Sequence, residues 1–170
     1  MTNERCLSTH GANRDLIHEL ETRHAAFLIV GGAAVAFYGC RTETHLEDID
    51  LLLEPTTENA ERAIAALTAA GVDLQFLATD LAQPGKRVPV HTWCFDVDIL
   101  TPRPDETFSE FASRSTHAFL NDVAVRMISL PDLIAMKRIA AIESTDAAKH
   151  TRDLQCLVDK LGAVSKFEEN

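Results

Sequence analysis

The sequence predicts a mixed α/β (α+β) domain with a helical C-terminal tail. Three observations point there. Short apolar runs with β character, at 25–30, 48–53 and 94–100, alternate with segments whose apolar residues recur at helical spacing. Turn-forming residues such as Gly31-Gly32 and Gln83-Pro84-Gly85-Lys86 separate them. The C-terminal quarter then keeps helical spacing as far as Leu161.

At 170 residues, 46% of them apolar, the chain can build one core but is short for two domains. We expect one unit over 1–170, with a core at about 25–128 and C-terminal helices at about 129–162. No apolar run approaches the roughly 18–20 residues that cross a bilayer. The polar start MTNERCLSTHGANRD lacks the apolar region of a secretory signal, so the expected location is cytoplasmic, with no membrane partner. The net charge of −10 argues against an extensive nucleic-acid surface, which needs a basic face. It leaves a nucleotide substrate open, because bound cations can neutralise a local acidic cluster. Cys6, Cys40, Cys94 and Cys156 are scattered and form no C-x-x-C pair, which suits reduced thiols better than a disulfide or a zinc site. His91 and Cys94 make an isolated H-x-x-C with no second ligand pair, so no metal is expected there.

In order, Leu16, Ile17 and Leu20 place a first amphipathic helix over 13–23. Residues 25–30 form a buried strand stopped by Gly31-Gly32, and a short helix over 33–38 starts at the glycines. Residues 48–53 are the next strand. Thr56 or Thr57 caps a helix that carries Glu58 and Glu61 in its first turn, buries Ala60, Ala63, Ile64 and Leu67, and stops at Gly71. A strand is expected over 72–78, and strands at 88–92 and 94–100 form a hairpin in which Pro89 marks an edge. A short helix over 106–114 precedes a second hairpin, 116–120 with 123–128, around Asn121-Asp122. Ser129, Pro131 and Asp132 start the next helix as a capping box. The last helix buries Leu154, Leu157, Val158 and Leu161.

The chemistry concentrates in FLIVGGAAVAFYGC and LEDIDLLLE. A Gly-Gly turn lets backbone approach a phosphate closely. Asp48 and Asp50, two positions apart on a strand, emerge on one face while Ile49, Leu51 and Leu53 pack on the other. Two such carboxylates repel unless a cation lies between them, and magnesium prefers these oxygen ligands. In CFDVDIL, Asp96 and Asp98 again share a face, between apolar neighbours that make an unpaired charge costly. Lys137 falls in the middle of the apolar stripe Leu130, Leu133, Ile134, Met136, Ala140 and Ala141, where an ammonium either snorkels out, meets a phosphate or catalytic carboxylate, or forms a structural ion pair. His150 reads as a packing histidine, and Lys149, Arg152 and Asp153 as a solvated face whose basic members could help hold a nucleotide.

These motifs together resemble the nucleotidyltransferase superfamily, the DNA polymerase β-like fold. The matching residues are Val30-Gly31-Gly32, Asp48-Ile49-Asp50 and Val97-Asp98-Ile99, with Asp96 the substitute for Asp98. The continuation SLPDLIAMKRIAA and KHTRDLQCL is similar to small bacterial abortive-infection toxin-like members, and the resemblance covers roughly 25–161. The spacer over 33–47 is longer than usual, and the arginine and threonine that often precede the first aspartate are displaced, as Arg41, Thr42 and Thr44. The resemblance implies a mixed sheet of the nucleotidyltransferase type flanked by helices. It implies that Asp48, Asp50 and Asp98 hold Mg2+, as one ion or two, that Gly31, Gly32, Lys137, Arg41 and Thr44 contact the nucleotide, and that an NTP is the substrate. The expected reaction moves an NMP from an NTP to a hydroxyl on a protein, RNA or small molecule, in a toxin–antitoxin or phage-defence setting with a protein partner. The alternatives are an inactive, regulatory version of the fold and an antibiotic nucleotidyltransferase of aminoglycoside or lincosamide type.

Overall fold

The computed structural model describes residues 7–143 and 147–168. The chain runs β1 (Ser8–Thr9), α1 (Gly11–Thr22), β2 (Phe27–Val30), α2 (Gly31–Phe37), β3 (His45–Leu46) and β4 (Ile49–Leu53). It continues with α3 (Thr57–Ala69), α4 (Ala78–Leu81), β5 (Arg87–His91), β6 (Asp96–Leu100) and α5 (Phe108–Arg114). The order closes with β7 (Thr116–Leu120), β8 (Val123–Met127), α6 (Leu130–Glu143) and α7 (Ala147–Glu168).

One mixed sheet carries the site, in the order β5-β6-β4-β2-β8-β7, and β1 pairs separately with β3. β4 lies antiparallel to β2 and parallel to β6, in a register that sets Asp50 opposite Asp98. All four residues of β2 are buried, so both faces of the sheet centre are covered. The FLIV run is thus a central strand and not an alternating surface strand. β5 is an edge, as Pro89 suggests. The bonds Thr101 N–H to Lys86 O and Thr92 N–H to Phe95 O fix the alternation, so the missing N–H of Pro89 falls on the solvent side of the ladder.

Local chemistry sets the helices that frame the site. Thr56 Oγ1 accepts from Asn59 N–H at 3.2 Å and caps α3. Ser129 Oγ accepts from Asp132 N–H and donates to Asp132 Oδ2 at 2.6 Å, which starts α6. α1 buries Leu16, Ile17, Leu20 and also Asn13. No helix among the described residues is long and apolar enough to cross a membrane.

Four expectations need correction. Residues 72–78 form no strand: both sheet edges are taken, by β5 and β7, and Asp80 Oδ2 accepts from Leu77 N–H at 2.8 Å to start α4 instead. Of the expected apolar stripe of α7 only Leu157 is fully buried; Leu154 and Leu161 are partly buried and Val158 is exposed, so the buried stripe is narrower than the apolar pattern. Cys40 and Cys156 are joined in a disulfide across a sequence separation of 116 residues; the fold brings together what spacing keeps apart, and only Cys94 is free among the described residues. Asp153 is buried, not on a solvated face, because it is the counter-ion of Lys137 and Arg41. Cys6 lies outside the described residues.

Candidate functional site

The face of β4 and β6 that carries Asp50 and Asp98 borders a cavity of about 670 Å³, lined by Gly31, Gly32, Arg41, Asp48, Asp50, Arg87, Asp98, Lys137 and Lys149 among others. Asp48 stands exposed just before β4, Asp50 is its second residue, and Asp98 lies beside Asp50 on the parallel neighbour. Three carboxylates thus share one wall. Burial, and then the charges of Asp48 and Asp98, push the Asp50 carboxyl above the ordinary aspartate value, while the Gly32 N–H and Lys137 pull it down. Asp98 is nine-tenths buried. Its Oδ2 accepts from Arg87 Nη2 at 2.5 Å and Nε at 3.2 Å. Its Oδ1 is buried and accepts no hydrogen bond among the described residues, and His91 Nε2 stands 3.1 Å from it.

The glycine turn faces this wall. Gly31 has φ +59°, a left-handed conformation, and a Cβ there would collide with Asp50 Oδ2. Gly32 N–H donates to that oxygen at 3.4 Å. A Cβ on Gly32 would stand 2.7 Å from Arg41 Nη1, so Arg41 lies directly over the turn.

A cationic side of the cavity is built on α6 and α7. Lys137, buried at 6% exposure, donates to Asp153 Oδ2 at 2.9 Å. Arg41 Nη2 reaches the same oxygen at 2.8 Å, and Arg41 Nε reaches Oδ1 at 3.3 Å. One carboxylate therefore holds two cations. Burial works against the charge of Asp153, but the hydrogen bonds and charges of Arg41 and Lys137 outweigh it and hold the carboxyl below its ordinary value. Of the readings open for Lys137, the ion pair is present, and the residue also lines the cavity.

The remaining candidates separate. Asp96 is half exposed, lines no part of this cavity and faces His91 at 3.5 Å. Thr44 is exposed and lies outside the cavity lining; its carbonyl accepts from Ser8 N–H. His91 turns to the aspartates, whereas Cys94 Sγ lies 3.5 Å from Thr92 Oγ1, so they share no site. Four contributors are absent from the sequence-derived set. Arg87 and His91 reach Asp98 from the edge strand, and Asp153 holds the cations. Fully buried Asn13 fastens the entries to both acidic strands: its Nδ2 donates to Glu47 O at 2.9 Å, and its Oδ1 accepts from Asp96 N–H at 3.1 Å. Asn13 and Asp153 were readable as polar residues within apolar helical stripes, Asn13 at the spacing of Leu16, Ile17 and Leu20, and Asp153 at that of His150 and Leu157. Arg87 and His91 left no comparable signal.

No protein-family model and no curated protein matches the chain. Solved structures do. The aminoglycoside nucleotidyltransferase ANT(2")-Ia, in complex with adenylyl-2"-tobramycin, superposes with a TM-score of 0.57 at 17% identity, over 89% of this chain and 88% of that one. An antigenic nucleotidyltransferase-like protein from Paracoccidioides brasiliensis superposes with a TM-score of 0.50 at 15% identity, over 85% of this chain and 72% of that one. Backbone architecture, not sequence, carries both likenesses. The chain has the nucleotidyltransferase fold.

Proposed function

We propose that this protein is a magnesium-dependent nucleotidyltransferase that moves an NMP from an NTP to an acceptor hydroxyl. The observation that carries this reading is the single cavity in which Asp48, Asp50 and Asp98 face the Gly31-Gly32 turn. Among the described residues no group of three or more His, Cys, Asp or Glu forms a ready-made metal cage. The donors nonetheless suit magnesium, which takes few protein carboxylates and completes its shell with phosphate and water. The buried Asp98 Oδ1, with no hydrogen bond, and the Asp50 carboxyl crowded by two like charges are the groups a cation would satisfy.

In this reading Asp48, Asp50 and Asp98 hold the metal, which supplies charge neutralisation at the phosphates. The Gly31-Gly32 turn admits the triphosphate to the backbone, and Arg41, Lys137 and Lys149 face its negative charge. Asp98 orients the acceptor hydroxyl and takes its proton, unless water takes it. The acceptor oxygen bonds to the α-phosphorus as the bond to the β-phosphate oxygen breaks, and pyrophosphate leaves.

A small hydroxylated acceptor is preferred to a nucleic acid. The net charge is −10, and the neighbour ANT(2")-Ia was captured with an adenylylated small molecule. A toxin-like role on RNA or protein is the competing assignment, and a scan of the four labelled NTPs against cell extract separates the two by the size of the labelled product. The function itself is tested by calorimetric titration of NTP with magnesium. Wild type should bind, and the Asp48→Ala plus Asp50→Ala variant should lose metal-dependent binding; equal binding by both overturns the proposal.

A further inference from the structure

The Cys40–Cys156 disulfide and the Asp153 ion pairs join the same two parts of the chain. Cys40 immediately precedes Arg41, and Cys156 lies three residues after Asp153, within one turn of α7. One side is the segment after α2 that lays Arg41 over Gly32; the other is the helix whose Lys149 and His150 line the cavity. The carboxylate bridging them is buried, and it also fixes Lys137 on α6. Without it, Lys137 would carry a buried charge lacking its counter-ion, and Arg41 would lose the group that aims it across the glycine turn.

We propose that Asp153 is the positioning residue that presents Arg41 and Lys137 to the triphosphate, and that the Cys40–Cys156 disulfide locks this clasp, so that a dithiol reductant weakens nucleotide binding. This rests on the function proposed above. Two electrons and two protons from the dithiol convert the disulfide to two thiols, while the dithiol becomes a disulfide. Cys40 and Cys156 are only partly buried and line a second cavity of about 840 Å³, which gives the reductant access. Once reduced, the segment around Arg41 and α7 lose their covalent tie in this region, and the ion pairs must hold them.

The test is calorimetric titration of a non-hydrolysable NTP with magnesium into the oxidised protein, the dithiothreitol-treated protein with its thiols counted, and the Cys40→Ser, Asp153→Asn and Asp153→Glu variants. Far-UV circular dichroism checks that each form is folded. Reduction and Cys40→Ser should raise Kd several-fold, and the variant should no longer respond to dithiothreitol. Asp153→Asn should raise Kd by about tenfold or more, with partial recovery in Asp153→Glu. In turnover the effect should fall on KM for NTP more than on kcat. Reduction of the unsubstituted protein keeps the test valid if a variant fails to fold. Binding unchanged by complete reduction overturns the lock, and binding unchanged in folded Asp153→Asn overturns the positioning role. Absence of binding by the oxidised wild type overturns the proposed function, and this inference with it.

Discussion

The two sides of the cavity solve the problem of buried charge in opposite ways. On the sheet side, Asp48, Asp50 and Asp98 crowd like charges together, and Asp98 Oδ1 is left without a hydrogen bond among the described residues. On the helix side, Asp153 sits between Arg41 and Lys137, each partner within hydrogen-bond reach, and a disulfide ties the same elements. Burying a charge is tolerable only when it is paired, so the helix side is complete without a ligand. The sheet side is only partly paired: Arg87 holds Asp98 Oδ2, while Asp50 is crowded by two like charges, an arrangement that would suit a cation. The contrast separates charges that are already paired, and so held in place for a ligand, from charges that still lack a partner.

The largest effect should come where the two sides meet, at the glycine turn. Gly31→Ala puts a Cβ into Asp50 Oδ2 at a left-handed φ, so metal-dependent nucleotide binding should vanish in calorimetry. The backbone strain alone should cost about 1–2 kcal/mol in denaturant unfolding. Next comes the completed side. Asp153→Ala should destabilise by about 3 kcal/mol, the scale of a broken buried pair. Lys137→Met should cost less, because Arg41 still pairs Asp153. Equal costs would mean that the carboxylate is not shared.

A pH series sharpens the contrast further. The Asp50 carboxyl is raised in the folded protein, so the stability it confers is present below its unfolded value and is lost as pH rises through the folded one. The Asp153 carboxyl is lowered, so its stability is present above the unfolded value and is lost as pH falls through the folded one. Thermal unfolding of chelator-treated wild type, Asp50→Asn and Asp153→Asn between about pH 3 and about pH 7 should therefore give differences of opposite slope. The smallest effect is expected outside both sides. Trp93, 97% exposed at the β5–β6 turn, should tolerate alanine within about 0.5 kcal/mol.

The same contrast explains what could be read from the sequence. The acidic side lies in two short strands, where period-two alternation places Asp50 and Asp98 on a face before any fold is known. The helical side depends on elements far apart in sequence: Arg41 with Asp153, Lys137 with Asp153, Cys40 with Cys156. Lys137 stands out because it interrupts an apolar stripe, and the same logic applied to α7 marks Asp153 as a polar residue on a buried face, though only the fold pairs the two. No local pattern encodes the disulfide, since a loop-to-helix contact across the whole domain decides it. Residues 72–78 illustrate the reverse limit. Their composition suits a strand, but with β5 and β7 at the sheet edges nothing pairs with them.

The most direct measurement is a crystal structure of the oxidised protein with magnesium and a non-hydrolysable NTP. The expected result is an ion ligated by Asp48, Asp50 and Asp98, with Arg87 displaced from Asp98 Oδ2 and the triphosphate on the Gly31-Gly32 turn beneath Arg41. A triphosphate bound elsewhere, or an Asp98 still paired to Arg87 with no ion beside it, would contradict the assignment of the acidic side as the working site.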